Sequence, residues 1–175
     1  GDEVDLEVTV GPGASLELSD IAGTVAYHGR GRPAAWHTRI SLGAGARLRY
    51  TGEPFVVSDG ADVTRTLAVD LGDGASAWLR ESVVFGRVGE IGGRLTATTI
   101  LRRSGVEFCR EQLLLDPVDR SRPGVLRGVR VIDSVLALGP DSEQQQREGG
   151  LAPRTGPNGC QTSFSIGSDV ATYRL

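Results

Sequence analysis

The chain has 175 residues, of which 39% are hydrophobic and 23% charged, a length and composition typical of one globular domain with a substantial core. Its 25 glycines and only 5% aromatic residues favour tight turns and short strands over long helices. A net charge of -3 argues against nucleic-acid binding, and the absence of lysine excludes Schiff-base and P-loop lysine chemistry.

An internal repeat is the most informative feature of the sequence. Residues 10–16, 42–48 and 71–77 share the pattern apolar-Gly-x-Gly-Ala-x-apolar, and the copies recur roughly every 30 residues. Apolar and polar residues alternate on both sides of each copy, which predicts strands joined by a tight turn, as a β-hairpin or a β-arch. The sequence therefore predicts an all-β, β-helical or solenoid-like stack of short strands with few short helices. A β-sandwich whose hairpins resemble one another is the alternative.

A fourth, degenerate copy is predicted around Ser104 and Gly105, with alternating runs on both sides. None of the glycine pairs predicts a nucleotide loop, because strand-like alternation rather than a helix follows each of them.

The repeat pattern of the sequence ends after Leu115. Residues 116–119 predict a turn, residues 120–123 an exposed loop, and residues 128–138 a strand that leads into a short helical turn. The polar stretch 141–159 predicts a mobile loop, and residues 163–175 a closing strand. We therefore expect residues 1–140 to form the repeat-built β core and residues 141–175 to form a polar loop and a C-terminal closing segment of the same domain.

Two carboxylates are placed unusually. By alternation Glu81 shares a strand face with Val83 and Phe85, and Glu111 shares one with Leu113 and Leu115. An unpaired carboxylate on a core face costs several kcal/mol, by rough estimate. A carboxylate flanked by apolar residues lies either on the solvent face of its strand or buried and paired; a polar interior channel would also explain the placement, and Glu81→Ala would then leave folding nearly intact. A buried ion pair would instead lose on the order of 3–5 kcal/mol.

Other chemistry has little support. His28 and His37 match no standard metal motif, so packing or solvent-exposed roles are expected, with a transient soft-metal contact as the alternative. No positioned nucleophile and base are present, which predicts that the chain is not an enzyme.

Cys109 and Cys160 predict two unpaired thiols in a reducing compartment. No apolar run approaches the roughly 18 residues that cross a bilayer. Because the chain lacks Met, Gly1 is not expected to be a translation start.

Several segments, in order, resemble the UreD (UreH) family of urease accessory proteins. Gly1-Asp2 and the strand and Gly-x-Gly-Ala turn that follow resemble the family's Gly-Gly-Asp segment. Later matches are Thr24-Val25-Ala26-Tyr27, Leu48-Arg49-Tyr50, Glu81 with residues 84–87 and Gly89-Glu90, and the Glu-Gln-Leu-Leu-Leu-Asp-Pro run at 111–117. The matches span roughly residues 1–140, and the chain resembles a short, divergent member that is truncated at its N-terminus.

The resemblance implies a non-enzymatic cytoplasmic chaperone for metallocenter assembly. Such a protein binds apo-urease together with UreF- and UreG-type accessory proteins and assists nickel insertion. The resemblance places Asp2, Glu81, Glu111 and Glu90 along a path for transient Ni²⁺, with no tightly bound cofactor and no high-affinity metal site. A non-catalytic β-solenoid that only binds a protein partner is the alternative function, and a small hydrolase on a β scaffold is a third.

Overall fold

The computed structural model of the protein describes residues 1–140 and, for the backbone, residues 161–167. Residues 141–160 and 168–175, with the whole of the predicted mobile loop and the end of the predicted closing strand, lie outside the described residues. The strands and the helix of the described residues are β1 (Glu3–Val10), β2 (Ser15–Ser19), β3 (Thr24–Ala26), β4 (Ala34–Leu42), β5 (Arg47–Thr51), β6 (Phe55–Val57), β7 (Asp62–Leu71), β8 (Ser76–Phe85), β9 (Arg94–Arg103), β10 (Val106–Leu115), α1 (Pro117–Ser121), β11 (Val131–Leu138) and β12 (Gln161–Gly167).

The chain winds as a β-helix between two facing sheets. In the first sheet β1, β4, β7 and β9 run parallel, and β10 adds an antiparallel edge strand. In the second sheet β2, β5 and β8 run parallel, β3 and β6 pair beside the second half of β8, and β11 and β12 follow antiparallel. Each coil thus contributes one strand to the first sheet and one or two to the second. The all-β, solenoid-like prediction is confirmed.

The three Gly-x-Gly-Ala segments form equivalent, stacked corners, as predicted. In each corner the second glycine has a left-handed backbone, for example Gly45 with φ 65°. In the second and third corners the first glycine is required by close stacking instead, because a Cβ on Gly43 would lie 2.6 Å from the backbone nitrogen of Pro12 in the coil above. Hydrogen bonds between coils fix the stack, such as the one that Gly13 N–H donates to the Ala44 carbonyl at 2.8 Å.

Inward-facing side chains form ladders between the sheets. Val8, Ile40, Val69 and Leu101 occupy one register position on four neighbouring strands, and all four are buried. Full burial of such a side chain stabilises the fold by about 1.5–3 kcal/mol. Repeating the same apolar position in every coil therefore gives a continuous core, which is why the period-two pattern identified the fold.

The predicted fourth corner is wrong. Ser104 and Gly105 join β9 and β10 as an antiparallel hairpin within the first sheet, with Val106 paired to Arg103. Both turn residues have positive φ, 49° and 79°, which is the geometry of a two-residue hairpin loop rather than of a β-arch. The chain therefore turns back after β9 instead of crossing to the second sheet.

The predicted exposed loop at residues 120–123 is also partly wrong. Residues 117–121 form a short helix that is capped by the Asp116 side chain, and Arg120 within it is only 4% exposed. Its guanidinium donates to the carbonyls of Gly92 and Gly93 at 2.9 and 3.1 Å and stacks on Phe85. These hydrogen bonds and the contact with the Phe85 ring offset the cost of burying the guanidinium.

Candidate functional site

A row of polar side chains crosses the core between two hydrophobic clusters. Along β7 the inward-facing side chain of Arg65 lies between Val63 of one cluster and Leu67 of the other. Along β8 Glu81 lies in the same way between Leu79 and Val83. We call the inward-facing polar residues of this row the polar belt; they are Thr38, Arg65, Glu81, Thr99, Glu111 and Ser134.

An ion pair joins the two sheets at the centre of the polar belt. Nη2 of Arg65 lies 2.5 Å from Oε1 of Glu81, and the side chains are only 15% and 20% exposed. The guanidinium also stacks on the ring of Phe55 at 4.7 Å. Arg65 reaches across from the first sheet, so Glu81 is neutralised by the facing sheet rather than by a neighbour on its own sheet. Glu81 is thus part of a largely buried ion pair, which favours the ion-pair alternative over a hydrated, unpaired carboxylate.

Three cavities surround this ion pair, and Arg65 and Glu81 line all of them. The Glu111 cavity, about 70 Å³, also contains Glu111 and Ser134 in its wall. The threonine cavity, about 40 Å³, is also lined by Thr38, Thr66, Thr98 and Thr99. The Asp20 cavity, about 20 Å³, is also lined by Asp20, Tyr50 and Trp36. Each is larger than the roughly 10–15 Å³ that one water molecule requires, and each offers polar partners for water.

The belt has a polar group at each outer end. On one side the exposed Asp20 accepts a hydrogen bond from the Tyr50 hydroxyl at 3.1 Å. Burial, and then the charge of Asp20, raise the pKa of Tyr50 far above its ordinary value, so the hydroxyl remains a donor. On the other side Glu111 is half-buried, and burial raises the pKa of its carboxyl. Glu111 shares its strand face with Leu113 and Leu115, as predicted.

The structure places Asp2 and Glu90 away from these cavities. Asp2 is exposed beside the start of β1, where its backbone carbonyl accepts from Ala35 N–H at 2.9 Å. Glu90 lies in the loop after β8 and forms an ion pair with Arg87 at 2.5 Å. The hydrogen bonds from Arg87 hold the pKa of Glu90 at about 2, so the carboxylate is already engaged within its own loop.

No cluster of three or more His, Cys, Asp or Glu side chains suited to a metal ion occurs among the described residues. His28 accepts a hydrogen bond at Nδ1 from Arg30 N–H, and His37 Nε2 lies 3.9 Å from Glu3. Cys109 is a free, half-buried thiol, whereas Cys160 lies outside the described residues. Within the described residues no helix has the length and apolar character needed to span a bilayer.

Sequence reasoning did not single out Arg65 or the Asp20–Tyr50 pair. A signal for Arg65 was present, because the alternation that places Val63 and Leu67 inward places Arg65 on the same face. No comparable signal exists for Asp20, which follows the end of β2 and reaches Tyr50 only because two coils stack.

Residues 1–174 match the model of the family described as UreD urease accessory protein. The chain is 48% identical over 140 residues to a urease accessory protein UreD 1 of Streptomyces griseus, covering 79% of this chain and 55% of the relative. It is 36% identical to a UreD 1 of Saccharopolyspora erythraea (98% of this chain, 69% of the relative) and 34% identical to a UreD of Frankia alni (99% and 66%).

The chain thus spans little more than half the length of the Streptomyces griseus relative and about two thirds of the other two. The family match nevertheless runs through almost the whole of this sequence, from the first coil to the residues after β12. The stacked Gly-x-Gly-Ala corners and the all-β core agree with the fold expected from the resemblance to this family. On the strength of the family match, the chain belongs to the UreD family of urease accessory proteins.

Proposed function

We propose that this chain acts in urease maturation as a non-enzymatic, cytoplasmic accessory protein that assists nickel delivery to the urease active site. In this proposal it binds apo-urease together with UreF- and UreG-type accessory proteins. Membership of the UreD family supports the role in maturation. The observation that carries the nickel step is the polar belt, because two carboxylates line small cavities between two hydrophobic clusters of the core.

The chemistry of the belt suits an ion in passage. Its charged ligands are carboxylate oxygens, and the described residues add no cluster of thiolates or imidazoles that would hold Ni²⁺ tightly. A site that conducts must bind an ion well enough to admit it and weakly enough to release it. Glu81 and Glu111 line one cavity and are therefore the two residues on which the proposal mainly rests.

Asp2 and Glu90 belong to the proposal through the resemblance alone. Both lie outside the three cavities, and Glu90 is already paired with Arg87. If they act on nickel, they act at the surface, where a hydrated ion arrives or leaves.

A pull-down of the full-length protein with UreF-type protein and apo-urease tests the partner claim. Retention of both partners is the expected result. Capture of neither, by a protein that is folded by circular dichroism, would favour the alternative of a β-solenoid that serves another partner. The nickel step is tested separately by nickel-dependent urease activation with the Glu111→Gln variant.

A further inference from the structure

The Arg65–Glu81 ion pair occupies the one place that all three cavities share. Glu81 is the carboxylate nearest the middle of the belt, and its Oε1 is taken by Arg65. The Glu111 cavity and the Asp20 cavity each include both residues in their walls. On a route through these two cavities, a cation that moves from Asp20 towards Glu111 passes a guanidinium, which repels it, and a carboxylate that is already neutralised.

The ion pair is also incompletely satisfied. Nε of Arg65 is buried and has no hydrogen-bond partner among the described atoms. The guanidinium is held by its bond to Glu81 and by the face of Phe55. A buried donor without a partner raises the free energy of this arrangement relative to one in which the guanidinium moves. The adjoining Glu111 cavity provides space, and the carboxylate of Glu111 provides a second acceptor.

We propose that the Arg65–Glu81 ion pair is a cation gate inside the protein, closed in this structure. It opens when the guanidinium leaves Glu81 and frees that carboxylate to contact the passing ion. This inference rests on the proposed nickel path and adds its control point. The gate explains why a positive charge lies in the middle of a cation path, where a simple channel would have none.

The test compares variants of the full-length protein in reconstituted urease activation at limiting Ni²⁺, with rates normalised to the amount of assembled complex. Arg65→Met removes the charge while retaining an apolar stem over Phe55, and it should raise the initial rate several-fold. Arg65→Lys keeps the charge and should stay near the wild-type rate. Arg39→Met removes the equivalent charge from an exposed pair with Asp5 on the outer face of the same sheet, and it should change nothing.

A second comparison remains informative if Arg65→Met folds poorly. Glu81→Gln leaves an unpaired guanidinium in the path and should be the slowest variant. The double variant Arg65→Met/Glu81→Gln removes both charges, so it should activate urease several-fold faster than Glu81→Gln at equal amounts of complex. Equal rates for these two variants would overturn the gate.

The outcomes separate the gate from the path. If Glu111→Gln slows activation but Arg65→Met and Arg65→Lys both match the wild type, the nickel path stands and the gate is wrong. If the Glu111→Gln and Glu81→Gln variants both activate urease normally, the proposed nickel path is wrong, and the proposed gate is wrong with it.

Discussion

Oδ2 of Asp20 accepts hydrogen bonds from both the Tyr50 hydroxyl, at 3.1 Å, and the backbone N–H of Glu53, at 3.3 Å. One carboxylate oxygen on the first coil thereby holds two points of the second coil. The Tyr50 ring is largely buried while Asp20 is exposed, so this contact lies where the core meets the solvent. It gives the first coil a polar attachment in addition to its backbone pairing.

Tyr50→Phe should lower the free energy of unfolding at neutral pH by about 0.5–1.5 kcal/mol, since one hydrogen bond is lost and Asp20 remains accessible to water. The pH dependence is more specific. The folded-state pKa of Tyr50 is raised above its unfolded value of about 10, so its stabilisation is complete below pH 10 and is lost as the pH rises further. Urea unfolding between pH 8 and 11 should therefore show a steeper loss for wild type than for Tyr50→Phe. Parallel curves would contradict this prediction.

Glu81→Ala should cost about 3–5 kcal/mol of unfolding free energy, because it leaves Arg65 as an unpaired cation in the core. Asp5→Ala is the matched control. It breaks the Asp5–Arg39 pair on the outer face, whose side chains are 49% and 58% exposed, and should cost no more than about 1 kcal/mol. Chemical denaturation of both variants measures the difference. Equal, small losses would mean that Glu81 is hydrated rather than paired.

Alanine substitutions at the first glycine of the three corners should differ in how much they destabilise the fold. Gly43→Ala and Gly72→Ala should destabilise the chain strongly, because the added Cβ would meet backbone nitrogen at 2.6 and 2.7 Å in the coil above. Gly11 occupies the same motif position in the first coil, where a Cβ meets nothing within 4 Å, so Gly11→Ala should be neutral or slightly stabilising. Thermal melts of the three variants of this 175-residue chain test the series, and a similar loss in all three would show that close stacking is not the cause.

The repeat predicted the fold well because each coil buries similar apolar residues at the same register positions. Alternation alone placed Glu81 and Glu111 inward, and the structure agrees. The repeat pattern was misleading at Ser104 and Gly105, where a two-residue loop between the alternating runs forms a hairpin rather than a fourth corner. A β-arch needs a longer corner, such as the four-residue Gly-x-Gly-Ala turn.

The partner of Glu81 could not be identified from the sequence. Strand register fixes neighbours within a sheet, but contact between facing sheets depends on the height and twist at which the sheets stack. Arg65 and Glu81 are 16 positions apart in the sequence, and they meet only across the space between the two facing sheets. The same limit applies to Asp20 and Tyr50, whose contact is set by the stacking of two coils.

Glu111→Gln is the sharpest test of nickel delivery, because it removes the charge of one belt carboxylate, and Glu111 forms no ion pair within the part of the chain that the structure describes. Burial raises the pKa of Glu111, so ionisation works against the fold: the stabilisation by its neutral form is present at low pH and is lost as the pH rises through the folded-state pKa. The glutamine variant should therefore be as stable as the wild type or slightly more stable at neutral pH.

Activation should nevertheless fall. With Glu111→Gln in the full-length protein, the initial rate of nickel-dependent urease activation should drop several-fold at limiting Ni²⁺, since the path loses a carboxylate ligand at the Glu111 cavity. Glu107→Gln is the control on the same strand, because Glu107 is exposed and paired with Arg110 at 2.8 Å. It should activate urease normally. Reduced activation in Glu111→Gln alone, with unchanged melting temperature and complex yield, supports passage of nickel through the core, whereas normal activation in both variants would leave Glu111 without a role in delivery.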